Sequence, residues 1–455
     1  MIPLDYLKEQ ESNSLEQLKE LLRIPSVSAQ SAYNDDMIKC AEWVAGYMND
    51  IGIKSEIMET GGHPVVYGEH CQADGAPTVL IYGHYDVQPP EPLDLWHSGP
   101  FDPIEKDGYL CARGSTDDKG QLFTHFKGVE SYLKTVGSLP MNVKFLIEGE
   151  EEVASENLPV FVEKYKDKLK ADIVLVSDSA QYGIGMPAIT FGLRGIAFVE
   201  VKIIGPDKDL HSGGYGGAIA NPIHMLAQII AQLHDDNGKI MIDGFYDDTY
   251  TMSDWEKAEF DKLPFDENDY KASTGVNKLW GEKEFTILER NWVRPTLDCN
   301  GITGGYQGEG AKTIIPSWAS TKITMRLVPD MEPDDICDKI ETYLMKICPD
   351  TAKLEIVKHG GGRPVQVPTE GPWLDAAARA IKTGFGKEPF FTKEGGSIPI
   401  VETFKTVLGL ETLLVGFGQK DDNAHSPNER FRISDFHLGC RTSAALLEEL
   451  AKVKV

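Results

Sequence analysis

The stretch Thr78-Val-Leu-Ile-Tyr82, running directly into Gly83-His84-Tyr85-Asp86, decides how this chain reads. A short uninterrupted run of apolar and β-branched residues suits a strand buried on both faces. Here the run ends in a histidine and a carboxylate. The same grammar recurs. Val143-Lys-Phe-Leu-Ile147 runs into Glu148-Gly-Glu-Glu-Glu152, Asp172-Ile-Val-Leu-Val-Ser177 into Asp178, and Thr412-Leu-Leu-Val-Gly-Phe417 leads to a loop holding His425. Helical periodicity lies between these runs at 15–22, 37–48 and 122–133. Strand alternating with helix predicts an α/β fold, a mostly parallel mixed sheet flanked by helices. Such sheets present ligand-binding groups at the carboxyl ends of their strands.

The middle of the chain has a different period. Residues 196–204 alternate, with Ala197, Val199, Val201 and Ile203 set against Glu200 and Lys202. Residues 322–328 do the same, with Ile323, Met325 and Leu327 against Thr324 and Arg326. Period-two alternation marks a sheet with one wet face. Residues 222–233 read as helix, and Ile336, Ile340, Leu344 and Ile347 recur at helical spacing behind Pro333. An α+β unit inserted into the α/β domain follows: residues 1–192 and 364–455 form the first domain and 193–363 the insert. The segment 238–300, rich in Asp, Tyr and Trp, is expected to pack irregularly on that insert.

Charge narrows the partners. Among 455 residues, 45 Lys and Arg face 71 Asp and Glu, a formal net charge of −26. Such a field repels polyanions and anionic bilayers, so neither nucleic acid nor membrane is an expected partner. The first 22 residues carry no basic stretch followed by an apolar one, so no signal peptide is expected. The seven cysteines are scattered and never in CxxC spacing, which predicts reduced thiols in a cytoplasmic protein and no thiolate zinc site. A metal here has to be held by His and carboxylate.

Each polar cluster has a plain structural explanation when taken alone. His84 can be a hydrogen-bonded strand-end histidine, and Asp117-Asp118 a helix N-cap. Glu150-Glu151-Glu152 can be a solvated acidic turn. Jointly these explanations fail, because five segments deliver a His or a carboxylate to one edge of one sheet. Gathering carboxylates without a cation costs heavily in repulsion and desolvation. Two divalent cations relieve that cost, and a sulfur-free His/carboxylate set suits Zn2+, with Mn2+ or Co2+ as alternatives. A carboxylate shared by two such ions leaves room for a water of lowered pKa, which describes metal-assisted hydrolysis.

These segments, in order, resemble the M20 family of di-metal peptidases: Gly83-His84-Tyr85-Asp86-Val87, Ala112-Arg113-Gly114-Ser115-Thr116-Asp117-Asp118-Lys119-Gly120, Glu148-Gly149-Glu150-Glu151-Glu152 and Ser177-Asp178. The resemblance continues through Asp209-Leu210-His211-Ser212-Gly213-Gly214, Met325-Arg326-Leu327, Glu394-Gly395-Gly396-Ser397 and Asn423-Ala424-His425-Ser426-Pro427-Asn428-Glu429, and looks closest to the carnosinase and cytosolic non-specific dipeptidase branch. It implies that Asp117 bridges both ions, that His84 and Asp178 complete one, and that Glu152 and His425 complete the other. Asp118 is the rival claimant for the bridge. Asp86 would hold the second imidazole nitrogen of His84, and Glu151 would be the general base. His211 would reach across a homodimer, formed through the insert, to stabilise the oxyanion. Its rival reading is a hinge-loop histidine without chemistry.

Arg326 is a candidate grip for the substrate's terminal carboxylate, or an ordinary surface arginine. Thr313, Gly396, Ser397 and His359 are further candidate substrate contacts. The expected activity is hydrolysis of dipeptides or short peptides, with an N-acyl amino-acid deacylase or amidase as the alternative on the same scaffold. A metal-binding scaffold without catalysis is the non-enzymatic alternative, and it predicts a degraded Glu151 or bridging Asp, both of which are present.

Overall fold

A computed structural model of the chain describes residues 1–396 and 398–454. It comprises two compact units: Met1–Phe191 with Val367–Thr392 and Pro399–Val455, and Gly192–Gln366 with Lys393–Ile398.

The larger unit is built on a mixed sheet. From one edge the strand order is Lys54–Met58, Val65–His70, Asn142–Glu148, Thr78–His84, Ile173–Val176, Thr412–Leu414 and Ala188–Leu193. Parallel pairing is confined to the middle four of these strands, the ones recognised as continuous apolar runs. The edge beyond them is an antiparallel hairpin, Lys54–Met58 with Val65–His70. Ile81, Phe145, Ile147 and Leu175 are buried on one face and Leu80, Tyr82, Leu146 and Val174 on the other, as double-sided coverage requires.

The helix Lys119–Thr135 is buried along nearly its whole length and packs against Ile433–Leu450. The two come so close that a Cβ on Gly128 would lie 2.5 Å from Ser443 Oγ. A small second sheet, Ile104–Lys106, Tyr109–Cys111 and Arg430–Arg432, is antiparallel throughout. Its pairing of Cys111 with Arg430 fixes where the following loop, 112–118, begins.

The smaller unit has an antiparallel sheet in the order Thr296–Gly304, Trp318–Leu327, Gly195–Ile204, Lys353–Gly362. One face carries Val199, Val201, Ile203, Ile323 and Met325 into a core shared with the helices Pro222–Ala231 and Pro333–Ile347. Arg326 and Phe198 lie on the opposite face. The segment 238–300 is more regular than its composition suggests. It holds the helices Asp254–Phe260, Glu267–Thr274 and Ile287–Trp292 and the start of the edge strand. Two of these helices open with capping boxes, Ser253 with Glu256 and Thr286 with Glu289, in which each pair satisfies two orphan N–H groups. Among the described residues no helix is long and apolar enough to cross a membrane.

Burial predicts where substitutions will be felt. Phe145→Ala, at a fully buried ring 5.2 Å from that of Phe126, is expected to cost about 3–5 kcal/mol. Val357→Ala, 53% exposed on an edge strand, should stay within about 0.5 kcal/mol of wild type. Equilibrium urea unfolding of the two variants checks both.

Candidate metal centre

Three strand ends and two loops of the larger unit converge. His84 ends its strand fully buried, with Nε2 3.2 Å from Asp117 Oδ1 and 4.0 Å from Asp178 Oδ2. The other oxygen of Asp117 faces a second histidine: Oδ2 is 3.0 Å from His425 Nε2, which is 3.2 Å from Glu152 Oε2. Ligand atoms of His84, Asp117 and Asp178 all lie within 4.8 Å of one another, and so do those of Asp117, Glu152 and His425. Asp117 alone belongs to both sets.

The two neighbouring aspartates differ in what each carboxylate meets. Asp118 stands at the N-cap of Lys119–Thr135 without capping it through its side chain. Its Oδ2 instead accepts the His84 N–H at 3.2 Å. A Cβ on Gly83 would come within 2.8 Å of that oxygen, so only glycine allows the approach. Of the three consecutive glutamates, Glu150 turns away and accepts from Asn157 and the His63 N–H. Glu151 and Glu152 remain at the cluster.

Asp86 sits at the centre of the support. His84 Nδ1 is 3.1 Å from its main-chain oxygen and 3.3 Å from its Oδ1. The Asp86 carboxylate also accepts the N–H groups of Glu151 (3.3 Å) and Glu152 (3.1 Å) and the Ser28 hydroxyl (2.6 Å). One carboxylate thus fixes a ring on one strand end and the backbone turn on its neighbour. Gln88 adds a bond of 2.8 Å to Glu152 Oε2.

The residue before Asp178 is held just as firmly. Ser177 donates to Val415 O at 2.6 Å, so its oxygen must accept from His125 Nε2 at 2.8 Å. His125 Nδ1 is then bare and accepts from Ser443. Burial pushes His125 down to about 3, keeping this relay neutral. Sequence reading missed Gln88, His125 and the role of Ser177. Glu429 and Asp422 were also missed, although Asn428-Glu429 ends a recognisable segment.

Electrostatics fit a cationic occupant. Burial works against ionisation of Asp117, yet the facing His425 and His84 rings hold it well below the ordinary carboxylate range. Glu151, buried and in the field of Asp178, Glu152 and Asp117, is pushed up to about 9 in the cation-free cluster. His425 is raised to about 10 by Asp117 and Glu152. Burial disfavours the charged His84 ring, but Asp117 and Asp86 outweigh it and raise it well above the histidine norm. His84 Nε2 is buried without a hydrogen-bond partner in acceptable geometry. Imidazole nitrogens and carboxylate oxygens without sulfur, with one buried nitrogen left over, fit a pair of divalent cations.

The remaining expected site residues lie in the smaller unit and form two groups. His211 pairs with Ile314 across a two-residue ladder, and the Ser212 N–H bonds Thr313 O, which makes His211 and Thr313 neighbours. His211 Nδ1 accepts the Gly213 N–H at 3.0 Å. A neutral His211 therefore carries its proton on Nε2. Arg326 pairs with Ile196, while His359 stacks on Phe198 at 4.7 Å. Ile196 and Phe198 share a face by strand alternation, so Arg326 and His359 do too. Arg194 joins them. Burial and the Arg326 charge bring it down to about 10, with Asp298 opposing. Arg194 Nε donates to Gly395 O at 3.3 Å, next to the exposed Gly396. Ser397 lies outside the described residues.

In a cation-free cluster at neutral pH, both imidazoles carry the extra proton, since their values are raised. Nitrogen ligation requires the neutral ring, and a cation also pulls Glu151 down. Loading the metal-free protein with Co2+ near pH 7.5 is therefore expected to release about two to three protons per chain. Isothermal titration in buffers of different ionisation enthalpy measures it, and a release near zero contradicts the assignment.

The chain is similar to known proteins over nearly its whole length. The profile of peptidase family M20/M25/M40 matches residues 80–449. The Cys-Gly metallodipeptidase DUG1 of Candida albicans is 34% identical over 98% of this chain and 96% of its own length. The crystal structure of human carnosine dipeptidase 1 superposes with a TM-score of 0.87 at 30% identity, covering 99% of this chain and 98% of that one. That of the M20 family metallo-carboxypeptidase Sso-CP2 from Sulfolobus solfataricus does so with a TM-score of 0.88 at 32% identity, over 97% and 99%. On profile, sequence and fold together, the chain belongs to peptidase family M20/M25/M40.

Proposed function

We propose that this protein is a metal-dependent dipeptidase acting through Asp117, shared between the His84–Asp178 and Glu152–His425 sets. The observation that carries the reading is the Asp117 carboxylate, whose two oxygens each face a different histidine at 3.2 and 3.0 Å. The names of the relatives support the substrate class: one acts on Cys-Gly, another is a carnosine dipeptidase. Zn2+ is the occupant the donor set favours, with Mn2+ and Co2+ as alternatives.

Two divalent cations, when bound, supply Lewis acidity that acidifies a water and polarises the peptide carbonyl. Glu151 takes the proton of the attacking water and delivers it to the leaving amine. Asp86 keeps the His84 ring and the Glu151–Glu152 backbone in fixed register, through the bonds described above. The Nε2–H of His211 is assigned to the developing oxyanion, in a site shared across a homodimer. The exposed edge strand Thr296–Gly304, with Ile302 65% exposed, supports pairing of inserts in that dimer. Arg326, with Arg194 beside it, is assigned to the substrate carboxylate, and Thr313, Gly396, Ser397 and His359 to the rest of the substrate. Free cysteines throughout the chain support a cytoplasmic setting.

A panel of dipeptides, tripeptides and N-acetyl amino acids tests the substrate class. Dipeptides are expected to have the highest kcat/KM, and a preference for acetylated amino acids makes the enzyme a deacylase instead. Glu151→Gln is expected to keep both cations while losing about 10²–10⁴-fold in kcat. Near wild-type turnover in that variant removes Glu151 from the mechanism.

The shared site is tested by mixing the Glu151→Gln and His211→Ala chains. Each parent is expected to be strongly impaired, and the mixed dimer to recover up to about half the activity of a wild-type dimer, since one of its two sites combines intact residues. No recovery in a demonstrated mixed dimer means that His211 serves its own chain or nothing.

A further inference from the structure

We propose that Glu429 is the positioning residue that locks Asp117 and His425 into register, and that it thereby sets the affinity of the second of the two cations. This rests on the di-cation reading above and goes beyond it, because Glu429 contributes no atom to either ligand set.

Glu429 is fully buried, and both of its oxygens are occupied. Oε1 accepts the N–H groups of Thr116 (3.0 Å) and Asp117 (3.1 Å). Oε2 accepts Arg113 Nη1 (2.7 Å) and the Gly114 N–H (3.0 Å). Its main-chain oxygen accepts the Ala112 N–H at 3.1 Å. The loop 112–117 is thus wound around one side chain and ends at Asp117.

The other loop runs directly into the same residue. His425 lies four residues earlier, and it has a left-handed backbone, φ +61°, as do Asn423 at +58° and Asn428 at +62°. Non-glycine residues persist there only when surroundings hold them. Asn428 is held by the His97 N–H (2.7 Å) and Leu95 O (2.8 Å). Asp422, behind the loop, takes the Thr116 hydroxyl (2.9 Å) and the Gln419 N–H (2.7 Å). Asp117 and His425 are therefore two short tethers fastened at Glu429, and they meet at 3.0 Å. His84 and Asp178 hang from strand ends that Glu429 does not touch.

The competing explanation is that Glu429 only neutralises Arg113, which is buried with its guanidinium 5.5 Å above the Trp96 ring. Three of the four donors on the carboxylate are main-chain N–H groups, however, and these carry the positioning argument. Exchanging the carboxylate for an amide turns one acceptor into a donor facing donors, which the loop cannot satisfy.

Co2+ titration of metal-free protein, followed by calorimetry and visible absorption, reads the two affinities. Wild type is expected to bind two ions. In Glu429→Gln the second affinity should fall about 10–100-fold relative to the first, with kcat returning at saturating Co2+ and KM for a dipeptide little changed. Arg113→Met, which removes the ion pair but leaves the three N–H bonds, should keep the wild-type spacing of affinities. Hydrogen exchange on metal-free wild type needs no variant: the Gly114, Thr116 and Asp117 amides should be strongly protected before any cation is added. The proposal is overturned by a folded Glu429→Gln with wild-type affinities, by Arg113→Met weakening the second ion equally, or by freely exchanging amides in that loop. Wild type binding no Co2+ would instead overturn the di-cation reading itself.

Discussion

Crowding of like charge is the constraint to which the larger unit is built. Asp117, Asp118, Glu151, Glu152 and Asp178 converge around two imidazoles. At an effective dielectric constant near 20, two unit charges 4 Å apart repel by about 4 kcal/mol. A cation-free cluster escapes by holding protons: Asp118 and Glu151 are raised, first by burial and then by neighbouring carboxylates. Divalent charge offers the other escape, since a nearby cation favours the ionised form of each carboxylate. The parallel strands matter because their carboxyl ends bring these groups together from segments far apart in sequence.

Holding such a cluster in shape falls to a surrounding set of buried, hydrogen-bonded polar groups. Asp86, Glu429 and the His125–Ser177–Ser443 relay each join two chain segments. Glu148, raised to about 8 by burial, takes the Tyr82 hydroxyl and Ser155. Buried polar groups of this kind contribute modestly when satisfied and cost heavily when one partner is lost. Rigidity at the ligands is therefore distributed over residues that carry no chemistry themselves.

The legible part of the chain was the part with a strong period. Thr78–Tyr82 declared a buried strand by being uninterrupted, Val143–Ile147 did so with Lys144 as its one polar member, and a strand fixes where its next residue goes, so the polar groups that follow both lie at the cluster. Asp86 as a partner of His84 was implied by the family resemblance of the Gly83–Val87 segment. Its bonds to the Glu151 and Glu152 N–H groups were not, because they depend on the pairing of two strands separated by more than fifty residues. Glu429 was hidden for the same reason: a carboxylate that accepts backbone N–H groups leaves no partner residue type in the sequence. In the segment 238–300 the signal was present and unread. Ser253-Asp-Trp-Glu256 and Thr286-Ile-Leu-Glu289 are both capping boxes, which announce a helix start whatever the composition around them.

The two ligand sets are physically unequal, and the inequality follows from how each histidine is carried. His84 is fully buried on a strand end, with its second nitrogen clamped by Asp86. His425 is 57% exposed, on a loop with three left-handed residues. Binding to the first set orders little that is not already ordered, and low local dielectric strengthens each charge contact. Binding to the second engages a half-exposed ring, whose charge contacts water screens. On the di-cation reading, the His84–Asp178 set is the retained site and the Glu152–His425 set the exchangeable one. Asp117 spans both, so any looseness at His425 is felt at His84 through a single shared carboxylate.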